Sequence, residues 1–121
     1  MLLVDAANVV GSRPTGWWRD RAKAANEFVA DLRAATAASR LSPPVVVVLE
    51  GLARRGVDEG VVDGVEVLHA SGHGDDTIVA VAQAAAGPVT LVSADRALAD
   101  RCRAVGSEVV GPSWLVNRTR C

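Results

Sequence analysis

Five short, largely apolar runs constrain this chain more than any other feature of its sequence. They are Leu2–Val4, Val45–Leu49, Val65–Leu68, Val89–Val92 and Val109–Val110, bounded by glycine, proline or an acid. Runs of this length and composition fit strands buried on both faces. Helical spacing separates them. Between Trp18 and Ser39 the positions Ala25, Phe28, Val29, Leu32 and Ala35 trace one buried stripe. A second stripe is Ile78, Val81, Ala82 and Ala85, and a third is Leu98, Cys102 and Val105, closed by Gly106 as a C-terminal cap. Leu52 to Asp63 is less regular and reads as a short helix with a turn at Asp63-Gly64. Strands alternating with helices predict βαβ units. The expected fold is therefore a three-layer α/β/α sandwich, Rossmann-like, with a mainly parallel central sheet of about five strands and about four helices. Neither a repeat nor a linker interrupts the 121 residues, which read as one domain, 1–121. Trp17, Trp18, Trp114 and Phe28 are its only aromatics, so Ala and Val must fill most of the core.

In open parallel sheets ligands bind beyond the carboxyl ends of the strands. The first run ends in Asp5, with Asn8 three residues on, and the second ends in Glu50. The third leads through a glycine-containing loop to Asp75-Asp76, and the fourth ends in Ser93-Ala94-Asp95. Four exits thus bring carboxylates to one edge. Each residue has a plainer use as well. Asp5, Ser93 and Asp95 suit helix caps, Asn8 a turn, and Glu50 a solvated loop end. Acids such as Asp75 and Asp76 are favoured in a first helical turn. These uses leave the coincidence of four acidic exits unexplained. Neighbouring carboxylates repel and raise one another's pKa, and a divalent cation is the usual remedy. Mg²⁺ takes hard oxygen ligands and suits chemistry on phosphodiesters.

A formal net charge of -1 gives no overall attraction to nucleic acid, although a local basic rim remains compatible with it. Lys23 is the only lysine. Arg13, Arg19, Arg21 and Arg96 are the arginines expected nearest the acidic edge and the candidates for phosphate contacts. Trp17 and Trp18 beside arginines read either as a base-stacking platform or as packing for the first helix; packing is expected of one of them. His73, between glycines, reads as solvated. Cys102 and Cys121 show no disulfide or zinc spacing and read as reduced thiols. The apolar start is too short for a signal peptide and no run is long enough to span a bilayer. A cytoplasmic protein without membrane contact is the expectation.

The ordered motifs resemble the NYN domains of the PIN-like nuclease superfamily. Leu2-Leu3-Val4-Asp5-Ala6-Ala7-Asn8 is similar to their opening strand, Asp and Asn. Val46 to Gly51 resembles the second strand ending in an acid, and Gly74-Asp75-Asp76-Thr77-Ile78 the acidic helix start. Leu91 to Leu98 resembles the strand-Ser-x-Asp element, and Gly106 to Gly111 the last strand. The resemblance spans roughly residues 1 to 112. It implies cleavage of single-stranded or structured RNA with Mg²⁺ or Mn²⁺. Asp5, Asp75 and Asp95 would be the metal-binding carboxylates, with Asn8 and Ser93 supporting them or touching the substrate. Asp76 and Glu50 would be auxiliary acids. Ala7 and the segment Gly11 to Arg21 depart from the commoner pattern.

Other readings share parts of this pattern. A metal-dependent nucleotide phosphohydrolase would use the same edge. A haloacid-dehalogenase type wants Asp-x-Asp where this chain has Asp5-Ala6-Ala7, and a receiver domain wants a mid-chain Asp and a late lysine. Gly72-His73-Gly74 is not a dinucleotide fingerprint. A non-catalytic PIN-like domain binding RNA or protein is the principal non-enzyme alternative, and a toxin of a toxin–antitoxin pair is another role the sequence leaves open. So small a domain also suggests a homodimer that completes an RNA-binding surface.

Overall fold

A computed structural model describes residues 1–13 and 15–120. The chain opens with β1 (Leu2–Asp5), α1 (Ala6–Gly11), a 3-10 turn at Trp17–Arg19 and α2 (Arg21–Ala37). β2 (Val45–Leu49) follows, then a 3-10 segment at Gly51–Gly56, β3 (Gly60–Val62) and β4 (Val65–His69). The second half runs α3 (Gly74–Ala84), β5 (Thr90–Val92), α4 (Arg96–Arg103), β6 (Glu108–Val110) and α5 (Pro112–Thr119). The strands form one sheet in the order β3-β4-β2-β1-β5-β6, parallel throughout except for β3 against β4.

The strand residues alternate between two cores because successive side chains leave opposite faces of a strand. Leu2, Val4, Val45, Val47, Leu49 and Val92 pack beneath α1, α2 and α5. Leu3, Val46, Val48 and Leu91 pack beneath α3 and α4. Every residue of β2 is buried, as expected of a strand covered on both sides. The α2 stripe is buried in full: Ala25, Phe28, Val29, Leu32 and Ala35 all lie inside. Full burial of one such Val, Leu or Phe side chain stabilises by about 1.5–3 kcal/mol. Small residues let the layers approach closely. A Cβ on Gly56 would lie 2.0 Å from the Ala22 carbonyl oxygen, so only glycine fits where the 3-10 segment meets α2.

Four elements correct the sequence reading, and one is α1, a helix over Ala6–Gly11 where the sequence suggests a turn at Asn8. Second, Leu52 to Asp63 is not a short helix but a 3-10 segment followed by β3, the sixth strand. The turn at Asp63-Gly64 is present, with φ of 53° and 78°, and two positive φ values give it the twist that a tight antiparallel hairpin needs. Third, α5 covers the sheet beyond β6, started by Pro112 and anchored by the buried Leu115. Fourth, the buried face of α4 ends at Cys102, because the helix stops at Arg103 and leaves Val105 exposed. Cys121 lies outside the described residues. Among the described residues no helix is long and apolar enough to cross a membrane.

Candidate active site

The carboxyl ends of β1, β2, β4 and β5 point to one edge, where β1 sits between β2 and β5. At that point the chain after β1 turns to one side of the sheet, and the chain after β4 crosses to the other. A crevice at such a switch is where open α/β sheets bind ligands.

Asp5 is the best-defined side chain there. It is the last residue of β1 and the N-cap of α1: its Oδ1 accepts the Asn8 amide at 3.3 Å. Its Oδ2 accepts the Ser93 hydroxyl at 3.0 Å, tying β1 to the exit of β5. Asn8 makes a second tie, because its Oδ1 accepts the Ala94 amide at 2.7 Å. The Ser93 oxygen in turn accepts the Asp95 amide at 3.1 Å, and Asp95 caps α4 by accepting the Leu98 amide. One hydrogen-bonded chain therefore sets the positions of Asp5, Asn8, Ser93 and Asp95. Capping and site-building are not alternatives here: both aspartates cap with one oxygen, and the cap fixes where the carboxylate stands.

Glu50 and Asp75 approach from the other side. Glu50 follows β2, and its Oε2 accepts the Gly74 amide at the first turn of α3. A Cβ on Gly74 would lie 2.9 Å from that oxygen, so the glycine makes room for the contact. The contact holds the start of α3, and with it Asp75, against the exit of β2.

The electrostatics are those of crowded acids. Burial pushes the Asp5 carboxyl above its ordinary value. The Ser93 and Asn8 hydrogen bonds pull it back, and the charges of Asp75 and Glu50 push it up again. Asp75 is raised too, first by burial and then by Asp95, with Glu50 adding to it. His73 and Arg101 oppose that rise. Asp5, Glu50, Asp75 and Asp95 thus feel one another as a group. Asp76 does not belong with them: it is exposed and pairs with Arg101 at 3.0 Å. His73 is exposed, 3.9 Å from Asp75.

The cations flank this group unequally. Arg96 lines a cleft with Ser93, Ala94 and Asp95, joined by Arg103 seven residues along the same helix. Arg21 lines a second cleft with Trp17, Ala7 and Glu50. Arg13 and Arg19 instead line a neighbouring groove together with Asp20, Glu27 and Asp31. Sequence reasoning missed Gly74, the Ala94 amide, Arg101 and Arg103. The seven-residue step from Arg96 to Arg103 on one helix face was the available signal for the last.

Among the described residues no three His, Cys, Asp or Glu side chains close into a cage around a cation. The donor set is an open arc of hard oxygens, in which Asp5 and Asp75 hold their protons more tightly than free carboxyls do. Such an arc fits Mg²⁺ or Mn²⁺ held by one or two carboxylates and completed by water. It does not suit a cation enclosed by protein alone.

A mostly parallel six-stranded sheet with helices on both faces and this switch point is a three-layer α/β/α architecture. Two crystal structures of Rae1 (YacP) from Bacillus subtilis share it. A tryptophan-to-leucine mutant superposes with a TM-score of 0.68 at 21% identity, over 98% of this chain and 72% of that one. The unsubstituted protein gives 0.65 at the same identity and coverage. At that identity the likeness is one of fold. No family model matches the chain, and no curated protein matches it by sequence.

Proposed function

We propose that this chain is a ribonuclease that cuts RNA phosphodiesters with Mg²⁺ or Mn²⁺ held at the acidic edge. The observation that carries the reading is the hydrogen-bonded chain Asp5–Ser93–Asp95, which ties two acidic strand exits together at an edge where the charges of Asp75 and Glu50 raise the Asp5 carboxyl. Asp5, Asp75 and Asp95 are the carboxylates that would hold the cation, one or two of them directly and the others through its waters. When bound, the cation would offset the charge building on the phosphoryl group and lower the pKa of a water. Ser93 and Asn8 fix the orientation of Asp5 and of the β5 exit. Glu50 holds the start of α3 in place and adds negative charge to the edge. Arg96 and Arg21, in the clefts on either side, are placed to take phosphates of the strand, with Arg103 beside Arg96. Asp76, paired outward with Arg101, is assigned no part in the chemistry.

Two other readings use the same edge. A domain that binds RNA without cutting would use the clefts on either side of the edge, with Arg21 and Arg96 on its phosphates. The phosphohydrolase reading differs only in substrate. Both are separated from ours by one experiment, in which the Mn²⁺-loaded protein is offered single-stranded RNA, hairpin RNA and a nucleoside triphosphate. Internal RNA cuts are expected. Phosphate release from the triphosphate alone would replace our reading with the phosphohydrolase, and RNA binding without products would replace it with the binding domain.

A further inference from the structure

The segment from Arg13 to Lys23 carries four cations and one acid in a chain whose net charge is -1, and it holds two of the three tryptophans. Its tryptophans are used differently. Trp17 is half-buried against the end of α1, where a Cβ on Gly11 would lie 3.7 Å from its ring. Trp18 is 57% exposed, an unusual position for so large an apolar ring. The two rings meet edge to face at 6.1 Å and 89°, so Trp17 steadies Trp18 without covering both its faces. Arg19 lies 5.9 Å from the Trp18 ring centre, and Arg21 lies 5.6 Å from that of Trp17. Among the described residues neither arginine forms an ion pair. The cleft lined by Trp17 and Arg21 is lined also by Ala7 and by Glu50 of the acidic edge.

We propose that Trp18 is a stacking platform for an unpaired base, and that Arg21 takes a phosphate of the same strand between Trp18 and the acidic edge. The site would therefore select single-stranded over duplex RNA. The choice of RNA as ligand rests on the ribonuclease reading. Every base has a π-face, so stacking of this kind tolerates sequence but requires the base to be free of its helix. A duplex keeps its base faces covered and offers Trp18 nothing to stack on.

The test measures binding without cleavage. Fluorescently labelled single-stranded RNA of roughly ten nucleotides, and a duplex of the same length, are titrated with the full chain in EDTA. Wild type is compared with Trp18→Ala and Trp18→Phe, substitutions at an exposed position that leave the core intact. Trp18→Ala should weaken single-strand binding about tenfold, the loss of one stacked base, and leave the duplex unchanged. Trp18→Phe should stay within about threefold of wild type, because a smaller ring still stacks. The proposal is overturned if wild type does not bind the single strand, if Trp18→Ala binds it as wild type does, or if the loss is equal on the duplex. Failure of the ribonuclease reading looks different: Trp18-dependent binding persists while Mn²⁺ brings no cleavage. If instead RNA is cut and Trp18→Ala changes neither binding nor cutting, the platform is wrong and the nuclease stands.

Discussion

Ser93→Ala tests the hydrogen-bonded chain at its midpoint. Ser93 is buried, 3% exposed, and its hydroxyl both donates to Asp5 and accepts from the Asp95 amide. A hydrogen bond to a charged group contributes about 1.5–3 kcal/mol, and a neutral one about 0.5–1.5 kcal/mol. The second bond is neutral and only part-buried, so it counts for less. The expected loss at pH 7 is therefore about 2–3 kcal/mol, or a fall in Tm of roughly 8–12 °C for a chain of this size. The loss must also depend on pH. Ser93 stabilises the ionised form of Asp5, so removing it raises that carboxyl further. Near pH 4 much of Asp5 is protonated, the missing bond is a neutral one, and the loss shrinks to about 1 kcal/mol. Urea unfolding in EDTA at both pH values measures this, and repeating it in an Asp5→Asn background should remove the difference. A loss below about 0.5 kcal/mol at pH 7, or one equal at both pH values, would refute the assignment of the Ser93–Asp5 bond as the tie between β1 and β5.

Three further outcomes follow from the same geometry. Asp5 and Asp75 both hold their protons more tightly in the folded chain than in the unfolded one, so folding takes up protons as they titrate. Their contribution to stability is thus lost as pH rises from about 4 toward neutral, and urea midpoints in EDTA should show Asp5→Asn gaining on wild type over that range. Gly56→Ala should cost about 3 kcal/mol or prevent folding, because the added methyl meets the Ala22 backbone rather than a movable side chain; the urea midpoint decides it. Gly74→Ala should cost about 1–2 kcal/mol, since the charged Glu50 contact is lost and alanine at the first helical position returns at most about 1 kcal/mol. Its RNA cleavage should also fall on the order of tenfold as the start of α3 shifts, which single-turnover rates would show.

Much of the fold was legible because its strands are buried on both sides. β2 is a run of four valines and a leucine, and no polar residue interrupts the signal. β3 escaped for the opposite reason. Its three residues are all exposed, so Gly60-Val61-Val62 carries no alternation, and the pairing that makes it a strand comes from β4. α5 escaped because a single buried residue, Leu115, anchors it. Within the site, the acids at the strand exits could be read from the order of the sequence. What joins them could not. The Asn8–Ala94 and Ser93–Asp5 bonds link residues 86 and 88 positions apart, and only the parallel pairing of β1 with β5 brings them together. Asp76 shows the converse: adjacent to Asp75 in sequence, it turns one helix position away and pairs with Arg101.

The central claim, that these carboxylates cut RNA with a bound cation, is tested most directly by comparing wild type with Asp95→Asn on end-labelled RNA in Mn²⁺ and in EDTA. Asparagine caps a helix as well as aspartate does, so the bond to the Leu98 amide survives and only the charge is lost. Cleavage by wild type in Mn²⁺, none in EDTA, and a rate at least about a hundredfold lower in Asp95→Asn are the predicted results. Equal cleavage by both proteins, or cleavage that persists in EDTA, would contradict the account.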